Sequence, residues 1–148
     1  MKVFVTAALF TNLLIAAGVI HALEFVSVAE APAILYDAPS TKAKKLFVVS
    51  RYLPLEQVVN LNAWVKVRDS SGSLAWIEKR VLSNKRFVVV TTALAEVHQA
   101  PEDNASIAFQ ARQDVALEWL ESTGTGWLKV KHPDGATGYV GKNDVWGD

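Results

Sequence analysis

The chain has 148 residues, of which 51% are hydrophobic and 20% charged, and its 15 basic and 15 acidic residues cancel. That composition can build a core and excludes a disordered tail, while the balanced charge argues against nucleic acid, whose phosphates demand a basic excess. There is no cysteine, which excludes disulfides, thiol catalysis and thiolate metal sites and leaves stability to packing.

The first element is "MKVFVTAALFTNLLIAAGVIHALE", one lysine and then an uncharged apolar run from Val3 to Ile20. It reads as a secretory signal helix over residues 1–22, cleaved after Ala22, which delivers the mature chain to the periplasm. The alternative is an uncleaved anchor, because the run reaches the lower length limit of a spanning helix. Such an anchor would be the chain's sole attachment to a membrane. Charge is uneven along the mature chain: residues 23–84 hold 8 basic and 6 acidic side chains, residues 87–148 hold 4 and 9. Either these are two solvated surfaces of different sign, or the halves attract across an interface.

The remaining elements come twice. "FVSVAEAPAILYDAPS" from Phe25 falls on "FVVVTTALAEVHQAPE" from Phe87, and "WVKVRDSSGSLAWI" from Trp64 falls on "WLKVKHPDGATGYV" from Trp127. The offset is 62, becoming 63 after one inserted residue. The duplication divides the chain into two units, residues 23–84 and 85–148. Each reads as short runs of valine, isoleucine and aromatic residues broken by turn formers, which predicts five strands and a small barrel. "RDSSGS" and "KHPDGA" predict hairpin turns.

Alternation sorts the aromatic residues. In "WVKVR", Val65 and Val67 share one face and Trp64 shares the other with Lys66. In "LAWIE", Ala75 and Ile77 turn inward and Trp76 outward. Trp64 and Trp76 are therefore predicted cross-strand neighbours, opposite or diagonal. Trp127 and Tyr139 repeat the arrangement, with Tyr36 bordering the first pair and His98 the second. These rings are either a shelf that grips a sugar or peptide, or surfaces covered by the first loop or by the other unit. Trp119 replaces Gln57 in the second unit, so the fold does not require it, and it is assigned to the contact between units.

Other chemistry is sparse. His98 and His132 lack the carboxylate or cysteine spacing of a zinc site and are expected on surface loops. Glu102 and Asp103 are expected to solvate a polar loop. "TKAKK" is a short basic loop, solvated or leaning on an anionic polymer. No nucleophile elbow, phosphate loop or dinucleotide fingerprint occurs, so no catalytic residue, metal or cofactor is expected.

The repeated "W-hydrophobic-K-V…G…A/G-W/Y-I/V" segment, with "YDAPSTKAKKLF" before it and the closing "VWG", resembles bacterial SH3-like (SH3b) domains over residues 24–147. The resemblance implies an all-β fold of two tandem five-stranded SH3-like barrels behind the signal helix. "AILYDAPS" is similar to the ALYDY stretch of eukaryotic SH3 domains, where Tyr36 and Trp64 would match groove aromatics. The later groove positions fall on Ala38, Glu78 and Val81 here, and on Gly141 and Asp144 in the second unit. Stacked rings hold a polyproline helix, so these losses argue against proline-rich ligands. The expectation is an exported, non-enzymatic binding module for a cell-wall peptide or a periplasmic protein. A structural or assembly factor working through its inter-unit surface is the alternative.

Overall fold

The computed structural model describes residues 23–148. The expected signal helix, the cleavage point after Ala22 and the alternative anchor lie outside the described residues. The chain from Phe25 onward is strands, turns and two single-turn 3-10 segments. The first half contains β1 (Phe25–Val28), β2 (Ala33–Tyr36), β3 (Lys45–Val49), β4 (Pro54–Asn60), β5 (Trp64–Arg68), β6 (Leu74–Glu78) and β7 (Leu82–Ser83). The second contains β8 (Phe87–Val90), β9 (Leu94–His98), β10 (Ile107–Arg112), β11 (Ala116–Ser122), β12 (Trp127–Lys131), β13 (Thr137–Gly141) and β14 (Val145–Trp146).

Each half is one antiparallel sheet of seven strands, ordered β3-β2-β6-β5-β4-β1-β7 and β10-β9-β13-β12-β11-β8-β14. The two orders are the same once seven is added to each strand number, so the duplication extends to topology. The predicted five strands per unit are corrected to seven. β7 and β14 have two residues each, too few to display a period-two pattern, and each comes after a 3-10 turn, Lys79–Val81 or Lys142–Asp144. Their pairing with β1 and β8 exists only in the folded chain.

Valine and isoleucine form these strands because their stiff, branched side chains suit a pleated, half-buried surface. Val65, Val67 and Ile77 face a first core with Val28 and Leu55, and Val97, Leu128, Val130 and Val140 face a second with Leu117. Burying each such side chain stabilises by about 1.5–3 kcal/mol. The hairpin between β5 and β6 turns on Asp69, whose Oδ1 accepts from the amides of Ser71 (2.9 Å) and Ser73 (3.0 Å). The matching turn in the second half uses Asp134, which accepts from the amide of Ala136 at 2.9 Å. Both sheets shift register at one homologous place, beside Gln57 and beside Trp119.

A junction joins the sheets. Tyr52 stacks on Phe87 with ring centroids 4.6 Å apart, and Phe25 meets Trp146 edge-on at 5.0 Å. Ser27 Oγ donates to the carbonyl of Lys85 at 2.7 Å. Gly147 is required here: its φ is +117°, and a Cβ would lie 2.9 Å from the Phe87 carbonyl and 3.0 Å from Pro54 Cβ.

Candidate binding site

The β5–β6 register sets the aromatic geometry of the first half. Trp64 is opposite Glu78 and Trp76 is opposite Lys66, so the two tryptophans are diagonal neighbours. The ring that meets Trp64 is Tyr36, edge-to-face at 5.4 Å and 86°. Trp76 lies instead under the Lys66 ammonium, 5.9 Å from the ring centroid. The second half repeats both contacts: His98 meets Trp127 edge-to-face at 5.3 Å and 78°, and Lys129 lies 6.0 Å from the Tyr139 ring. Such aromatic pairs are worth about 0.5–1.5 kcal/mol beyond area burial. All four outward rings, Trp64, Trp76, Trp127 and Tyr139, are half-buried, neither enclosed nor flat on the surface.

In the first half Tyr36 lines a cleft and Trp64 does not; in the second, His98 and Trp127 both line one. The first, of about 190 Å³, is bounded by Tyr36 and Ile34 of β2 and by Glu78 and Arg80 near the 3-10 turn. The second, of about 720 Å³, is bounded by His98 and Glu96 of β9, by Trp127, and by Asp144 of the second 3-10 turn. The homologous places are filled differently. Arg80 pairs with Glu78 at 2.7 Å and Glu30 at 3.9 Å, and the Glu78 hydrogen bond raises its pKa further above the ordinary arginine range. Asparagine stands in its place at 143, and Asp144 stands where the first half has Val81. Trp64, Trp76 and Tyr139 border neither cleft.

His98 corrects the expectation of a surface loop histidine. It ends β9, is only 8% exposed, and its Nδ1 lies 2.9 Å from the Ala105 carbonyl. A carbonyl only accepts, so Nδ1 carries a proton, and Nε2 lies 3.9 Å from Glu96 Oε2. Gly138 permits this burial, because a Cβ there would lie 2.7 Å from the His98 carbonyl. His132 lies in the hairpin loop between β12 and β13, half-buried, 2.9 Å from Asp134 Oδ1 and edge-on to Phe109 at 5.8 Å. Neither pairing makes a metal site; no group of described side chains is arranged to hold an ion. Asp103, expected only to solvate its loop, also borders the second cleft.

Trp119 packs against the second core and carries the Arg86 guanidinium 4.9 Å above its ring. Arg86 also lies 5.3 Å from the Phe25 ring and donates to the Gly147 carbonyl at 2.8 Å. Burial lowers the Arg86 pKa from the ordinary arginine range, opposed by Asp148. Trp119 thus reaches the junction through Arg86. Sequence reasoning missed Arg86, Arg80, Glu96 and Asp144. The repeat alignment held the signal for three of them, since charge changes there at homologous positions.

The bacterial SH3 domain family matches twice, over residues 29–84 and 92–147. No curated protein matches the chain. Similar solved structures include NlpC2 from Trichomonas vaginalis, 11% identical with a TM-score of 0.39 over 86% of this chain and 49% of that one. NlpC1 from the same organism is 13% identical with a TM-score of 0.38, over 95% of this chain and 51% of that one. An NlpC/P60 family protein from Bacillus cereus is 17% identical with a TM-score of 0.35, over 82% and 55%. The chain spans about half the length of these proteins, and likeness at this level transfers no activity. The twofold match, over two sheets of one topology, makes this chain a member of the bacterial SH3 domain family with two domains in tandem.

Proposed function

We propose that the chain is a non-catalytic binding module of the cell envelope, exported to the periplasm, that captures a cell-wall peptide or an envelope protein. The observation that carries this reading is the recurrence, in both domains, of an edge-to-face aromatic pair with a ring in a cleft wall: Tyr36, paired with Trp64, in the first, and both His98 and Trp127 in the second. A core needs no aromatic ring on its outer face, and two diverged copies have kept one at the same place. Tyr36 and His98 are buried, so the half-buried Trp64 and Trp127 rings are the ones that hold a sugar face or a peptide backbone by stacking, while the cleft walls supply hydrogen bonds and charge.

The test is co-sedimentation of the purified protein with cell-wall sacculi. The wild type pellets; Trp64→Ala and Trp127→Ala each weaken the apparent binding constant about tenfold, the loss expected from removing one aromatic anchor worth about 1.4 kcal/mol. A wild-type protein that stays in the supernatant, or variants that pellet like it, would overturn the wall-peptide reading. Trp119→Ala separates the assembly-factor alternative. The Trp119 ring is engaged with Arg86, so its loss is expected to lower stability and leave capture unchanged.

A further inference from the structure

We propose that the chain assembles head to tail, the free edge of β3 in one copy adding to the free edge of β10 in the next. This goes beyond the capture reading above and uses none of its aromatic pairs.

β3 and β10 are end strands of their sheets, and each pairs with one neighbour, β2 or β9. Among the described residues, no backbone hydrogen bond outside those ladders reaches residues 45–49 or 107–111. The outer row of amides and carbonyls on each edge is therefore open to a further strand. The edges also carry exposed apolar side chains: Phe47 is 58% exposed, Val48 71% and Ile107 45%. The second half covers its homologue of Phe47, since Phe109 packs on the second core and meets the His132 ring at 5.8 Å. In the first half Asp69 stands where that histidine would be, and its carboxylate is engaged in its own turn, so Phe47 is left bare. A docked strand would cover these side chains and pair the open backbone in one step.

Charge selects the partner. Lys42, Lys44 and Lys45 lead into β3, all exposed, and none makes an ion pair among the described residues. Glu102 and Asp103 lead toward β10, exposed and likewise without an ion pair. Two β3 edges would set lysine against lysine if parallel, or lysine against Arg51 if antiparallel. β3 on β10 in parallel sets the lysines beside the two acids, whereas the antiparallel pairing brings Lys44 toward Arg112. Parallel pairing of the unlike edges is the arrangement that charge favours. The halves are complementary as wholes too, with 8 basic and 6 acidic residues in 23–84 against 4 and 9 in 87–148. Because the two edges belong to different halves of one chain, each union leaves β10 free at one end and β3 free at the other. Such an interface is heterologous and extends until a ring closes.

Sedimentation equilibrium of the full chain, purified, tests this with two variants, each placing lysines on one edge. Phe47→Lys with Val48→Lys guards β3, and Ile107→Lys with Ala108→Lys guards β10. All four positions are exposed, so the urea midpoints are expected to stay near that of the wild type. The wild type is expected to gain at least about twofold in weight-average mass between about 10 µM and about 1 mM. Each variant alone is expected to stay monomeric. Their equimolar mixture is expected to recover association and to stop at a dimer, since one copy still offers β10 and the other still offers β3. Val48→Thr and Ile107→Thr, which keep the branched shape, are each expected to weaken association severalfold, and they carry the test if a lysine pair unfolds its sheet. A wild type that is monomeric throughout, a variant of either edge that assembles like the wild type, or a mixture of folded lysine variants that stays monomeric would each overturn the proposal. The sacculus test is separate. If the protein pellets with sacculi but is monomeric in solution, the capture reading stands and this one falls. If it assembles but does not bind sacculi, the reverse holds.

Discussion

Arg86 shows how one side chain ties two cores. Its guanidinium lies between Phe25 of the first sheet and Trp119 of the second and bonds a terminal carbonyl. Its Nε is buried with no hydrogen-bond partner among the described residues, while the side chain as a whole is half-buried, so the charge is partly withdrawn from water. Removing the whole side chain loses a charged hydrogen bond worth about 1.5–3 kcal/mol. It also loses two cation–π contacts of about 0.5–1 kcal/mol each. Arg86→Ala is expected to lower unfolding stability by about 2.5–5 kcal/mol in urea melts. A change below half a kilocalorie would show that the guanidinium contributes nothing net. Tyr52 is a second case. Its φ is +73°, a left-handed conformation that Asp114 adopts at the homologous position with φ +68°. Aspartate tolerates it; tyrosine does so at a cost that its stacking on Phe87 offsets. Tyr52→Gly and Tyr52→Ala both lose the ring, but only glycine relieves the backbone. The glycine variant is expected to be more stable than the alanine variant by about 1 kcal/mol, read as a difference in midpoint between matched melts.

Among the strands and turns, the β5–β6 and β12–β13 hairpins carry the rings, and their turns fix the register that makes Trp64 diagonal to Trp76. A slip of one residue would send the valines outward and the rings into the core. Asp69 guards against that slip by accepting from two turn amides with one oxygen. Asp69→Ala is expected to cost about 1 kcal/mol and to raise amide exchange in β6 before β1. Uniform acceleration across the first sheet would mean that the turn does not govern register locally. The bulges beside Gln57 and Trp119 bend β4 and β11 at one homologous point, where the local twist increases. Trp119 projects from its bulge toward Arg86, which is why a residue dispensable to the fold became part of the junction.

Taken together, the two small sheets either behave as one body or unfold apart. A domain of about 60 residues buries a modest share of its surface and is marginal alone. Here the Tyr52–Phe87 stack, the Phe25–Trp146 contact and the Ser27–Lys85 hydrogen bond cross the boundary. These contacts are expected to couple the halves into a single urea transition with coincident tryptophan fluorescence and far-ultraviolet dichroism. Arg86→Ala weakens the coupling and should separate the two signals. Two resolved transitions in the wild type would show that the junction is too weak to couple them.

Residue order alone was enough to reveal the repeat, the all-β class and the inward valines, because a period of two and a 62-residue offset need no knowledge of contacts. It also singled out the aromatic positions, since alternation assigns a face to each residue. Which rings meet was settled by folding. Tyr36 reaches Trp64, and His98 reaches Trp127, because β2 pairs with β6 and β9 with β13, strands far apart in the chain. The same non-local pairing buried His98, added the two-residue strands, and brought Glu96, Asp103 and Asp144 to one cleft. Local pattern dictates which way a side chain points; what it then faces depends on contacts that loop closure makes between remote segments, and those leave no periodic trace in the sequence.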